Sequence, residues 1–251
     1  MSFPARRAWG FLILTTLAAF PAMTAGDAQA SASPITIPSM THNAATAHKT
    51  AARRPRRARR APPGGVVWAR SAIVLDPATG EVLFEKNAER SVPIASLTKL
   101  MTILVLLEQN PEMDREVEVT RNELFGGGHT QLRNREVVPI ADLLHMSLMC
   151  SDNVATRVLT RESGLSADDF LARMNQKALE LGLTHTRFVE VTGLDERNVG
   201  TATDVARLLQ AAAGHELVRD ITTTHNYAFR TARRAHQIAN TNRLLYGRYE
   251  I

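Results

Sequence analysis

Residues 93–102 read Pro93-Ile94-Ala95-Ser96-Leu97-Thr98-Lys99-Leu100-Met101-Thr102. From Ser96 to Gln109 the chain carries Leu97, Leu100, Met101, Leu104, Val105 and Leu107, an apolar load that predicts a buried helix. Lys99 lies inside that run, where a charge is expensive. It faces the same side of the helix as Ser96, one turn earlier. A free lysine titrates at about pH 10.4, and burial with neighbouring donors lowers that value. A serine hydroxyl becomes nucleophilic only with help of this kind. Ser96 and Lys99 are therefore a candidate nucleophile and its base, with the serine in the positive field of the helix start.

A second polar cluster, Ser151-Asp152-Asn153, follows 55 residues later between two helical segments. Ser151 is the candidate relay that carries a proton from Lys99 to a leaving amine. Asn153 joins a donor and an acceptor in one group, so it can hold the lysine and a substrate carbonyl together. Asp152 is expected to point away and cap the next helix. Cys150, the only cysteine, excludes an internal disulfide. Free cysteine usually behaves as a small buried apolar group, so it is read as packing beside the cluster. No metal-ligand cluster, phosphate loop or cofactor motif is visible, and the scattered histidines, His145 among them, read as packing or surface residues.

Upstream, Val66–Asp76 and Glu81–Asn87 alternate and are rich in β-branched residues around Pro77-Ala78-Thr79-Gly80, which predicts a hairpin. Val117–Val119 is a further short strand signal. Downstream the signals are helical. Pro139 suits the first helical position of a segment reaching Cys150. Ser166-Ala167-Asp168-Asp169 starts a helix that Gly182 closes, and Thr203–Ala213 forms another, closed by Gly214. His225 to Ile251 returns to extended and turn signals. The order is hairpin, helical block, then extended tail, which predicts an α+β fold.

The N-terminus reads as a secretory signal over residues 1–30. Arg6 and Arg7 precede the apolar stretch Trp9–Met23, and Ala28-Gln29-Ala30 forms the cleavage site. The apolar run is shorter than the about 20 residues of a membrane span, so export to the periplasm or cell envelope is expected. Residues 31–65 read as a linker rich in Ala, Ser, Thr and Pro, ending in the arginine run Arg53–Arg60 and Pro62-Pro63-Gly64-Gly65. The chain has a net charge of +5, yet residues 1–65 hold 9 of its 30 Lys and Arg and one of its 25 Asp and Glu. Residues 66–251 are thus left with 21 positive and 24 negative side chains, a net of −3. The basic character belongs to the tail, which argues against a nucleic-acid partner. On an exported chain Arg53–Arg60 fits contact with anionic membrane or wall polymer, or a spacer without a partner. Residues 66–251 are enough for one domain with a sizeable core.

In its ordered motifs the chain resembles the low-molecular-mass penicillin-binding proteins, the serine D-alanyl-D-alanine carboxypeptidases and endopeptidases of peptidase family S11. Ser-x-x-Lys with Ser-Asp-Asn belongs to the signature of that superfamily. The resemblance spans residues 66–251. It takes in Ser71-Ala72-Ile73-Val74-Leu75-Asp76 with Thr79-Gly80, the Pro93–Thr102 stretch, and Leu148-Met149-Cys150-Ser151-Asp152-Asn153. It continues through Thr186-Arg187-Phe188-Val189-Glu190 with Gly193-Leu194, Thr201-Ala202-Thr203-Asp204, and Asn240-Thr241-Asn242. The Arg187–Glu190 and Asn240–Asn242 segments look most like the endopeptidase branch, which cuts peptide cross-links.

The resemblance implies a β-lactamase or penicillin-binding transpeptidase-like fold, a helical block on an antiparallel sheet. It implies Ser96 as acyl-ester nucleophile, Lys99 as proton acceptor, Ser151 as relay and Asn153 as substrate holder, with no cofactor and no metal. The implied partners are peptidoglycan stem peptides, with β-lactam antibiotics as acylating inhibitors. The family's third motif, Lys-Thr-Gly, lies on a strand shortly after the Asn-Thr-Asn segment. No lysine follows Lys177 here, so the domain is expected to be incomplete at its C-terminus and impaired in activity. The alternative readings are a class A-like β-lactamase, which would need a second base such as Glu190, and a non-catalytic wall-binding fragment.

Overall fold

The computed structural model describes residues 67–247. The expected signal peptide (1–30) and basic linker (31–65) lie outside the described residues. Residues 69–247 belong to one compact unit. Its elements run β1 (Ala72–Leu75), β2 (Val82–Lys86), β3 (Val92–Pro93), a 3-10 turn (Ala95–Leu97), α1 (Thr98–Glu108), β4 (Glu116–Glu118), α2 (Arg121–Leu124) and β5 (Val137–Pro139). After these come α3 (Ile140–Met149), α4 (Asn153–Arg161), α5 (Ala167–Glu180), β6 (Val199–Gly200), α6 (Ala202–Gly214), α7 (Glu216–Thr223), β7 (Asn226–Arg230) and β8 (Ala235–Ala239). The described strands pair antiparallel, two by two, as β1-β2, β3-β6, β4-β5 and β7-β8. Helices with antiparallel strands make this an α+β fold.

The hairpin forms where the turn residues put it. The Asp76 carboxylate accepts from the amides of Ala78 (2.8 Å) and Thr79 (3.0 Å), and Gly80 takes the left-handed conformation, φ +76, that the reversal needs. The buried start of β1 rests on α6, with Ile73 packed among Ala88, Ala202 and Ala206.

Helix α1 runs through the middle of the main core. Met101, Ile103, Val105 and Leu106 are fully buried there with Leu143, Met146, Val158 and Phe170 from α3, α4 and α5. Side chains apolar all round are what a central helix requires. This core fixes the start of α1 against the start of α4.

Helix ends follow their capping residues. Ser166 caps α5 by accepting from the Asp169 amide (3.1 Å). At the other end the Leu183 amide donates to Ala178 O and the Gly182 amide to Leu179 O, a Schellman close with Gly182 at φ +69. Several boundaries differ from expectation. Pro139 is extended (ψ 148) and lies opposite Glu116 as the last residue of β5, so α3 begins at Ile140. Its fixed φ suits a strand end as well as a helix start. Helix α6 begins at Ala202, one residue before the expected Thr203, because Thr201 accepts from the Asp204 amide (3.1 Å) and caps it, and it runs through Gly214 to a C-cap at His215.

Candidate functional site

Ser96 sits in the 3-10 turn that leads into α1. Ala95 before it is in the left-handed region, φ 49, a conformation costing a non-glycine residue about 1–3 kcal/mol. That turn leaves Ser96 exposed, while Lys99, one turn on, is only 2% exposed. The Lys99 ammonium donates to Asn153 Oδ1 (2.7 Å), to the Thr192 carbonyl (2.7 Å) and to Ser96 Oγ (3.2 Å). An ammonium has three protons, and here each has an oxygen. When Lys99 is neutral the longest contact reverses, and Ser96 donates to the amine. Burial pushes Lys99 down to about 8, against the opposing charges of Glu190 and Asp152. The geometry therefore puts a buried amine, whose charged form is disfavoured, within reach of an exposed hydroxyl, a pairing able to activate a serine.

The second cluster meets the first through Asn153, the first residue of α4. Its Nδ2 donates to the Gly127 carbonyl (3.0 Å) while its Oδ1 takes Lys99. Asp152 points away, as expected, and caps α4. Its Oδ1 accepts from the Ala155 amide (2.9 Å) and its Oδ2 from Thr130 Oγ1 (2.7 Å). Ser151 lies between the two helices with φ 59 and is half-buried. Its hydroxyl makes no hydrogen bond among the described residues, so the structure unites Ser96, Lys99 and Asn153 and leaves Ser151 beside them.

Cys150 donates to the Met146 carbonyl (3.2 Å) and packs against the core. Burial, then the Asp152 charge, pushes its thiol up to about 11, which makes it a poor nucleophile. His145 stacks on Tyr227 with ring centroids 3.7 Å apart.

Two loops at the site carry groups that sequence reasoning missed. The first is Phe125-Gly126-Gly127-Gly128. Arg157 of α4 braces it by donating to the Phe125 (2.7 Å) and Glu123 (3.1 Å) carbonyls. Phe125 is 87% exposed. The glycine run was the available signal. The second is Glu190–Asn198, which supplies the Thr192 carbonyl to Lys99. A backbone acceptor leaves no mark in the residue type that provides it.

Glu190 was a candidate second base. Its Oε2 accepts from Thr192 N (2.7 Å) and Thr192 Oγ1 (2.6 Å), and its Oε1 from Gly193 N and Asn198 Nδ2 (2.9 Å). With four donors aimed at it, the carboxylate is committed to its own loop and has no lone pair free to activate a water.

The model of the D-alanyl-D-alanine carboxypeptidase family, peptidase S11, matches residues 57–251. A D-alanyl-D-alanine endopeptidase of Pseudomonas aeruginosa is 37% identical over 179 residues, covering 70% of this chain and 58% of that protein. The D-alanyl-D-alanine endopeptidase of Escherichia coli K12 is 33% identical over 180 residues, with the same two shares of 70% and 58%. Among solved structures, a D-alanyl-D-alanine carboxypeptidase from Mycobacterium tuberculosis superposes with a TM-score of 0.64 at 26% identity, covering 72% of this chain and 69% of that one. The chain spans 58% of the length of those two curated relatives.

Proposed function

Because the chain belongs to the D-alanyl-D-alanine carboxypeptidase family, we propose that it is a serine D,D-peptidase that works on peptidoglycan stem peptides through an acyl-enzyme at Ser96. Neutral Lys99 takes the proton as Ser96 Oγ attacks the carbonyl carbon of the D-alanyl peptide bond. The C–N bond breaks, and the proton leaves Lys99 for the departing amine with Ser151 as relay. Water then attacks the ester and returns the enzyme to its starting state. Asn153 holds Lys99 and the substrate amide. A β-lactam would acylate the same oxygen.

The single observation that carries this reading is the buried Lys99 amine within 3.2 Å of the exposed Ser96 hydroxyl. The two relatives named as endopeptidases favour cleavage of cross-links over trimming of stem termini. Export through residues 1–30 would bring the domain to the envelope, where Arg53–Arg60 could meet anionic lipid or wall polymer.

Labelling the full chain with a fluorescent penicillin tests the proposal. A stable adduct that mass spectrometry locates on Ser96, and that is lost in Ser96→Ala, supports it. Rapid release of hydrolysed drug would point to a β-lactamase instead. Absence of any adduct removes the proposal.

A further inference from the structure

We propose that Glu190 is a positioning residue of this site, clasping the 190–198 loop so that the Thr192 carbonyl is held on Lys99 and Gly193 is seated against the Ala95–Ser96 peptide. The proposal rests on the reading above, in which Lys99 is the base. Three observations bear on the loop that Glu190 clasps. First, both carboxylate oxygens are spent on residues 192, 193 and 198, so the carboxylate fixes the peptide that contains the Thr192 carbonyl and the one before it. A charged acceptor makes these bonds stronger than neutral ones.

Second, Asn198 ties the same clasp to the nucleophile's own helix. Its Nδ2 donates to Glu190 Oε1 (2.9 Å) and Thr98 Oγ1 (3.0 Å), its Oδ1 accepts from the Val189 and Glu190 amides, and its carbonyl accepts from the Ile94 amide (3.0 Å). Residues on both sides of Ser96 are thereby referenced to Glu190. Third, Thr102 of α1 donates to the Val191 carbonyl (2.7 Å), so adjacent carbonyls of the loop meet two successive turns of α1 through Lys99 and Thr102. Lys99 and Thr102 thus meet the loop through directional polar bonds, and Glu190 is the carboxylate that holds the Thr192 and Gly193 amides beside them.

The groups that act electrostatically on Lys99 come from every element around it. They are Glu190 from the loop, Asp152 at the cap of α4, Arg157 on α4 and Cys150 at the end of α3. Of the two carboxylates, Glu190 is the one that also fixes a Lys99 acceptor. Removing its charge while keeping its shape has two separable effects. The Thr192 carbonyl loosens, and an anion that favours the charged lysine is lost.

The test is Glu190→Gln in the full chain, read by two methods. Titration of Lys99 by carbon-13 NMR on lysine-labelled protein needs no turnover, and the chain has only four lysines, Lys49, Lys86, Lys99 and Lys177. Penicillin acylation as a function of pH reads the chemistry. The expected result is a Lys99 titration moved to lower pH, with plateau acylation lowered at least about tenfold, because the Gln nitrogen cannot accept from the two donors that meet one carboxylate oxygen. An unmoved titration with acylation within twofold of the parent overturns the proposal.

If Glu190→Gln does not fold, Thr192→Val decides. It removes one bond to the carboxylate and keeps the charge. A several-fold loss of acylation with the Lys99 titration unchanged supports the clasp, and unchanged acylation overturns it. If the parent chain is not acylated at all, the peptidase reading fails, while the NMR titration still decides whether Glu190 governs Lys99.

Discussion

Gly193 lies against Ala95 so closely that a Cβ built on it would stand 1.9 Å from the Ala95 carbonyl oxygen and 2.8 Å from the Ser96 amide nitrogen. Its φ of +86 is also one that a side chain strains. The loop that feeds Thr192 to Lys99 can approach the Ala95–Ser96 peptide only because position 193 is bare. Gly193→Ala is therefore expected to lose more than about 1 kcal/mol of stability from the backbone conformation alone. Shifting the loop by an ångström should also lower the acylation rate by about 10²-fold. Urea unfolding and stopped-flow penicillin acylation read the two effects, and parental values in both would refute the close approach.

The pH dependence follows from Lys99. Burial holds it down to about 8, and only the neutral amine can accept the Ser96 proton. Acylation should therefore rise about tenfold per pH unit up to about 8 and then level off. Stability carries the matching sign. The folded lysine binds fewer protons than the unfolded one between about 8 and the ordinary lysine value of 10.5. The cost of burying the charge is thus fully present below that window and is relieved as pH rises through it. A rate profile flat from pH 6 to 9 would exclude Lys99 as the base.

What was legible in the sequence, and what was not, divides along physical lines. Ser96 and Lys99 could be read because a lysine in an apolar helix is costly and a serine one turn earlier is its neighbour. Asp152 and Ser166 could be read as caps because their side chains make the capping bond. The strands β3 and β6 could not. Each is two residues long, and each exists only because Val92 and Pro93 meet Gly200 and Val199, a pairing set by tertiary contact and not by local preference. Helix α7 escaped for a similar reason, since its capping residue His215 makes no side-chain cap bond. Within the site, the Thr192 carbonyl and the left-handed Ala95 are properties of the backbone. No residue type announces them.

Asn153 offers a prediction of opposite sign to that for Glu190. Its Oδ1 is 2.7 Å from Lys99 Nζ, so Asn153→Asp puts a carboxylate directly on the ammonium and favours the charged form. The acid limb of the acylation profile should move to higher pH. Loss of the Nδ2 bond to the Gly127 carbonyl should also loosen the loop that carries Phe125. Acylation at pH 7 is expected to fall by about 10²-fold, with partial recovery at pH 9. A loss that is the same at both pH values would show that Asn153 acts on the substrate alone.

The last prediction concerns stability away from the nucleophile. Glu136 and His236 are both 0% exposed at the side chain and 2.6 Å apart. They join the segment before β5 to the β7-β8 hairpin. Glu136 Oε1 also accepts from Thr231 Oγ1 (2.9 Å), and Oε2 from the Arg133 amide (3.0 Å). Burial pushes the carboxyl up, but the bonds from His236 and Thr231 outweigh it and hold Glu136 below the usual carboxylate value. A carboxylate lowered in the folded state contributes stability that is present above its unfolded value, about 4.5, and that is lost as pH falls through the folded value. Glu136→Gln takes the charged acceptor away from His236 and Thr231 and should cost about 1–3 kcal/mol at pH 7. The penalty should shrink at an acid pH well below 4.5, as the parent loses the same charge. Urea unfolding at the two pH values measures this directly. An equal penalty at both would mean that the pair holds the hairpin by shape and not by charge.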